Sequence, residues 1–265
     1  MRLSAHVTAD VRGPVAVVTL DRPEKRNALD MDTVQALGAF FRDPPAGVAV
    51  AVIASSGEHF SAGLDLSELT ETSVFEGVLH SRSWHAPFND IQLGTIPVVS
   101  VLRGAVIGGG LELALSTHIR VAEPSAFYAL PEGSRGIFVG GGASVRLPRL
   151  IGVHRMTDMM LTGRVIDAST GQQLGISQYL VDEGAGLDRA IELATRISQN
   201  SPVTNYAVLQ ALPRIAEMGP HEGLFVESLM AAVSQGSDEA KSLLEEFLAG
   251  RAAKVSASTN RGATS

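Results

Sequence analysis

Three short runs of almost unbroken aliphatic residues constrain the fold more than any other feature: VAVVTL (Val15 to Leu20), VAVAVIA (Val48 to Ala54) and VVSVL (Val98 to Leu102). They read as buried strands, of the kind found in a parallel sheet with both faces covered. A helical pattern from Asp32 to Arg42 lies between the first two, with Gln35 placed for a capping box, so the chain reads as strand, helix, strand and the fold as α/β. HIRVA (His118 to Ala122) and AFYA (Ala126 to Ala129) read as shorter strands, and Leu111 to Ser116 as a short apolar helix. From Gly142 onward the pattern is mostly helical. Ser201 followed by Pro202 supplies an N-cap and first-turn pair, which sets a boundary between a core of residues 1–200 and a helical region of residues 201–250. Two or three amphipathic helices are expected over Val203 to Leu248, and residues 251–265 read as a polar tail expected to be disordered.

Composition narrows the chemistry. A chain of 265 residues can bury one substantial core, and a formal charge of −7 argues against a nucleic-acid partner. With no cysteine there is no thiolate nucleophile, disulfide or cysteine-bound metal. No apolar run reaches the length of a membrane-spanning helix and no export signal opens the chain, so the expectation is a cytoplasmic protein with no membrane partner.

Several familiar motifs fail. GAVIGGGLEL lacks the lysine and Ser/Thr of a P-loop and the spacing of a dinucleotide fingerprint. His221 and Glu222 have no second histidine at zinc-protease spacing, and no G-x-S-x-G elbow occurs. His80, Trp84 and His85 share an expected helix without metal-ligand companions and read as packing or surface residues, so no metal is implied.

Two glycine-containing stretches remain. HFSAGLDL (His59 to Leu66) follows a buried strand, and Gly108, Gly109 and Gly110 open an apolar helix. Both can present N–H groups that lack an intrahelical partner. If they converge on a carbonyl oxygen they stabilise an oxyanion, each donor contributing about 2.7 to 4 kcal/mol. Taken singly, each stretch reads equally well as a tight turn.

Taken together with LDRPEKRNALD (Leu20 to Asp30), PEGSRGIFVGGGASVRLPRLIG (Pro131 to Gly152) and LTGRVIDA (Leu161 to Ala168), these stretches resemble, in order and spacing over nearly the whole chain, the crotonase family of enoyl-CoA hydratases and isomerases. The resemblance implies a spiral of ββα units with a C-terminal helical trimerisation region, assembled as a homotrimer or a dimer of trimers. It also implies an acyl-CoA substrate and no separate cofactor, coenzyme A being part of the substrate. Carried over by position, the oxyanion hole is the backbone N–H of Leu64 and of Gly109. The coenzyme A contacts fall on Ala62, Asp65, Leu66 and Gly140, with Arg26 near the phosphates, although an isolated arginine such as Arg26 is more commonly a solvated surface charge.

In hydratase members two glutamates hold the water that adds to the double bond, and those positions are Glu112 and Glu132 here. The resemblance therefore implies an enoyl-CoA hydratase, with Glu132 as acid/base near Cα and Glu112 holding the water. A Δ3,Δ2-enoyl-CoA isomerase and a non-catalytic acyl-CoA binder are the alternatives. Isolated from the family pattern, Glu112 reads as a helix-start carboxylate and Glu132 as a turn residue. The chain departs from the family at Gly133, Ser134 and Arg135, where many hydratases carry bulky aliphatic residues. Arg135 either turns away to an interface or pairs with an acidic group on the protein or the substrate. Gly250 stands where many members carry a coenzyme A-contacting lysine, a role left to Arg251 or Lys254. Ser73 to Leu93 reads as a helix forming the acyl-pocket wall, in which Phe75, Leu79 and Trp84 either line the chain or pack in the core.

Overall fold

A computed structural model describes residues 1–68 and 73–251. The chain opens as an antiparallel meander of β1 (Arg2–Ser4), β2 (Val7–Arg12) and β3 (Val15–Leu20). It then runs parallel, β3 pairing with β4 (Val50–Ser55), β4 with β5 (Val98–Leu102), β5 with β7 (Ile119–Ala122) and β7 with β10 (Tyr179–Leu180). The three aliphatic runs thus become the centre of a seven-stranded sheet.

Their lack of polar alternation is explained by what lies on each face. Val15, Val17, Val50, Val52, Val99 and Val101 share a cluster with Ala190, Leu193 and Ala194 of α7 (Gly186–Ile197). The intervening Ala16, Val18, Ala51, Ile53 and Val98 point into a larger core with Phe41, Phe88 and Leu111.

A smaller sheet is formed by β6 (Ala105–Ile107), β8 (Phe127–Ala129) and β9 (Ile166–Asp167). The chain repeatedly leaves the large sheet, crosses to this second layer and turns into a helix. β5 and β6 lead to α3 (Gly109–Ser116), while β7 and β8 lead through a 3-10 turn (Pro131–Arg135) to α4 (Ala143–Ile151). This is the expected spiral of ββα units. A single parallel bridge, Ser61 to Val106, adds the segment after β4 to the smaller layer. α5 (Val153–Thr162) and α6 (Ala168–Leu174) follow.

Two helices flank the site. α1 (Met31–Arg42) is capped by Asp30, whose side chain accepts the Thr33 N–H. The expected capping box around Gln35 is therefore not formed: the helix starts earlier, and the Gln35 amide donates to Ser83 O at 3.1 Å. α2 (Val74–Gln92) matches the expected wall helix, with Ser73 and Glu76 forming a reciprocal capping box. Its C-terminal end is tied to the sheet by His118, whose Nδ1 accepts the Val98 N–H while Nε2 donates to Gln92 O. Burial pushes His118 down to about 4, so the imidazole is neutral and can serve both roles.

A second contact unit begins at Ser201. It holds α8 (Pro202–Gln210), α9 (Leu212–Ile215), α10 (Pro220–Gly236) and α11 (Asp238–Leu248), more helices than the two or three expected, because Pro213 and Pro220 divide the pattern. Ser201 occupies the N-cap of α8, but its hydroxyl makes no cap bond and lies 3.3 Å from that of Ser237, which itself caps α11. Leu224, Phe225, Leu229 and Val233 of α10 and Leu244, Phe247 and Leu248 of α11 are exposed. Lys254 and the rest of the expected tail after Arg251 lie outside the described residues.

Candidate active site

Strand register builds the site. Ser61 and Val106 are parallel partners, so the residues three places further on, Leu64 and Gly109, arrive side by side. A methyl group added to Gly109 would stand 3.2 Å from Leu64 N and 2.9 Å from Trp84 Cζ3. Gly109 opens α3, so its N–H precedes the first intrahelical bond. Among the described residues, neither the Leu64 nor the Gly109 N–H donates to a protein acceptor. Both line one cavity of about 380 Å³.

The same logic brings in the carboxyl groups. Val106 also pairs in parallel with Tyr128, which carries the following Glu132 back over the triple glycine. Gly108 has φ +53°, and a methyl there would lie 2.7 Å from Glu132 Oε1, so both the backbone and the approaching carboxyl group require glycine. Glu112 sits one turn into α3 and also lines the cavity. Its Oε1 accepts the Gly141 N–H at 2.8 Å and the Ala143 N–H at 2.9 Å.

Both carboxyl groups are buried, at 4% and 7% exposure for Glu112 and Glu132. Burial pushes Glu112 upward, opposed by the Ala143 and Gly141 N–H groups and by the charge of Arg146. Burial raises Glu132 to about 6, with the Glu112 charge adding to the rise and Arg135 opposing it. Glu132 Oε2 has no hydrogen-bond partner among the described residues. One carboxyl group is thus held by backbone donors while the other keeps an oxygen available and titrates close to neutrality.

Of the residues singled out from sequence, Ala62, Leu64, Leu66, Gly109, Glu112, Glu132 and Gly140 all line this cavity. Arg26 and Asp65 do not. Arg26 is exposed and its carbonyl accepts the Ala62 N–H. Asp65 is buried, 2.9 Å from Arg22 and 3.1 Å from Lys25. The Ser67 hydroxyl, then Lys25, holds its carboxyl well below the usual range. Phe75 and Leu79 neither line the cavity nor pack in the core, being 69% and 52% exposed. The wall of α2 is made instead by Gly77, His80, Ser81 and Trp84. Arg135 faces the site as part of its lining. Ile137, Phe138 and Val139 are apolar lining residues that sequence reasoning missed; their only signal was an aliphatic and aromatic run just before the second triple glycine.

Residues 10–255 match the family model described as enoyl-CoA hydratase/isomerase. The chain belongs to this enoyl-CoA hydratase/isomerase family. It is 30% identical over 261 residues to the short-chain-enoyl-CoA hydratase of Clostridium acetobutylicum, covering 97% of this chain and 98% of the relative. It is 35% identical over 227 residues to the carnitinyl-CoA dehydratase of Salmonella enteritidis, covering 84% and 85%. A solved structure from Rhodopseudomonas palustris, with a provisional enoyl-CoA hydratase name, shares 57% identity and superimposes with a TM-score of 0.90 over 93% of this chain and 96% of that one. An enoyl-CoA hydratase structure from Bacillus anthracis shares 26% identity at a TM-score of 0.86, over 93% and 97%. The spiral is therefore the crotonase fold, and membership of the family implies an enzyme acting on CoA thioesters.

Proposed function

We propose that this family member is an enoyl-CoA hydratase that adds water across the 2,3 double bond of a trans-2-enoyl-CoA. The observation that carries the reading is the gathering of Glu112, Glu132 and the free Leu64 and Gly109 N–H groups around one cavity. The thioester carbonyl oxygen sits between the two N–H donors. As a water oxygen bonds to Cβ, the π electrons move toward the thioester and charge collects on that oxygen, where the donors stabilise it. The water proton passes to a carboxylate, and a carboxylic acid returns one to Cα, so the sum is addition of water.

In this reading Glu112 holds the water, because two backbone donors fix its carboxylate, and Glu132 exchanges the proton near Cα, because a group titrating near 6 can carry or release one at neutral pH. Ala62, Leu66 and Gly140 are assigned to coenzyme A and the acyl group. Asp65 would shape that segment through its pairs with Arg22 and Lys25, and Arg26 would act at the phosphates from outside the cavity. The second unit is assigned to trimer formation, supported by the exposed apolar residues of α10 and α11. Mass measurement at micromolar concentration tests that assignment, and a monomer would end it.

Crotonyl-CoA and longer trans-2-enoyl-CoAs, followed by loss of the conjugated thioester absorbance, test the reaction. Glu112→Gln and Glu132→Gln are expected to lower kcat by at least about a hundredfold while leaving acyl-CoA affinity within about threefold. Faster turnover of a 3-enoyl-CoA identifies an isomerase instead. Tight binding without hydration at any chain length leaves a binding protein.

A further inference from the structure

Arg146, on α4, reaches back across the mouth of its own helix. Its guanidinium donates to Gln92 Oε1 at 2.7 Å and to Asn89 Oδ1 at 3.0 Å, both at the end of α2, and to Gly141 O at 2.9 Å. All three acceptors are neutral, and among the described residues no carboxylate lies within ion-pair distance of Arg146. Its positive charge is therefore not cancelled by contact.

The segment it grips is the one that holds Glu112. Gly141 N–H and Ala143 N–H both donate to Glu112 Oε1, so the Gly141 residue accepts from Arg146 with its carbonyl and donates to the glutamate with its amide. Space is tight on both sides. A methyl on Gly142, whose φ is +111°, would stand 2.1 Å from Arg146 Nη1, and one on Gly141 would stand 2.8 Å from Glu112 Oε2. The second triple glycine thus lets an arginine and a glutamate clasp one stretch of backbone from opposite sides.

We propose that Arg146 is a positioning residue for Glu112: it anchors the Gly141 to Ala143 backbone to the end of α2 so that two N–H groups face the carboxylate, and its unpaired charge favours the ionised form. This assignment deepens the hydratase reading but its central measurement does not need turnover. The charged groups around Glu112 are Arg146 from α4 and, on the same cavity, Glu132 and Arg135 from the 3-10 turn, while α2 contributes His80 to the cavity wall and β6 contributes no titratable side chain. Asp90 of α2 is engaged by Arg42 at 2.6 Å.

The test is carboxyl-carbon NMR titration of the full chain with labelled glutamate, Glu112 being identified by its loss in Glu112→Gln. In Arg146→Met the Glu112 titration is expected to move up by about one unit, a tenfold change in proton affinity. Arg146→Lys, which returns the charge without the fork, is expected to recover part of that shift. In the hydration assay Arg146→Met should lower kcat about tenfold or more with KM within about threefold, and its acidic limb should move to higher pH by the same amount as the titration. An unmoved Glu112 titration in a folded Arg146→Met overturns the proposal. If that variant fails to fold, the pair Asn89→Ala and Gln92→Ala, which frees the fork but keeps the charge, replaces it. A lower kcat with a shift smaller than one unit supports the clasp, and no change in either kcat or titration overturns it. If the wild-type chain hydrates nothing, the titration still decides the role of Arg146, so the two failures are separable.

Discussion

Replacing Glu132 by glutamine should cost activity and add stability, and the gain should depend on pH in a defined direction. Burial raises the Glu132 carboxyl group from 4.5 to about 6 in the folded chain, a shift of about 1.5 units. At about 1.36 kcal/mol per unit, that makes the ionised form about 2 kcal/mol less favourable in the folded state than in the unfolded one. The sign follows from proton binding: between the two pKa values the folded state binds the proton and the unfolded state has released it. Folding therefore carries no penalty from this group below about pH 4.5 and the full penalty above about pH 6. Glu132→Gln removes the charge at every pH. Urea unfolding should show the variant more stable than wild type by about 2 kcal/mol near pH 8 and by less than about 0.5 kcal/mol near pH 4.5. A gain that is equal at the two pH values, or larger in acid, would refute the reasoning, because it would place the effect in packing rather than in the buried charge.

Other consequences are as direct. Gly109→Ala sets a methyl 3.2 Å from Leu64 N and 2.9 Å from Trp84 Cζ3, in the space between the two donors, and should lower kcat/KM for crotonyl-CoA by about a hundredfold or more while the far-ultraviolet spectrum is unchanged. Arg135→Leu removes a charge that opposes the rise at Glu132, so the Glu132 titration should move further up and the pH profile with it; an unchanged profile would separate Arg135 from that carboxyl group. Ser73→Ala breaks the capping box of α2 and should cost about 1 kcal/mol, read as a lower melting temperature.

The parts of the fold that were legible are those where one physical demand dominates. Val15 to Leu20 and Val98 to Leu102 are strands because a doubly covered position best suits an almost unbroken aliphatic run, and the observed β3 and β5 have those bounds. Where two local solutions compete, sequence misleads. Asp30 and Asp32 can each cap α1, and the choice of Asp30 leaves Gln35 two residues too far along to close a box. The wall of the cavity was opaque for a different reason. Phe75 and Leu79 are as apolar as Trp84, yet only the placement of α2 against α1 and α3 decides which side of the helix faces the cavity. Arg135 could be placed only once Pro131–Arg135 was seen as a 3-10 turn, in which side chains three apart eclipse and Arg135 falls on the side of Glu132.

The parallel bridge from Ser61 to Val106 has an implication for how this protein can change. Between those two residues the chain passes Leu64, forms α2 and returns to the large sheet as β5, so α2 is carried on an excursion between two fixed points. The donors Leu64 and Gly109 each follow a bridged residue by three positions, so their spacing is set by the bridge and not by the length of the excursion that carries α2. Closure entropy grows only slowly with loop length, so the chain entering α2 can be lengthened at little entropic expense, while Trp84, Phe88 and Ile91 keep α2 packed in the core. Under the proposed reading, selection for a different acyl group can rewrite Gly77, His80 and Ser81 on the cavity side of α2 while the Leu64 and Gly109 donors stay in place, which separates the evolution of what is bound from the evolution of what is done to it.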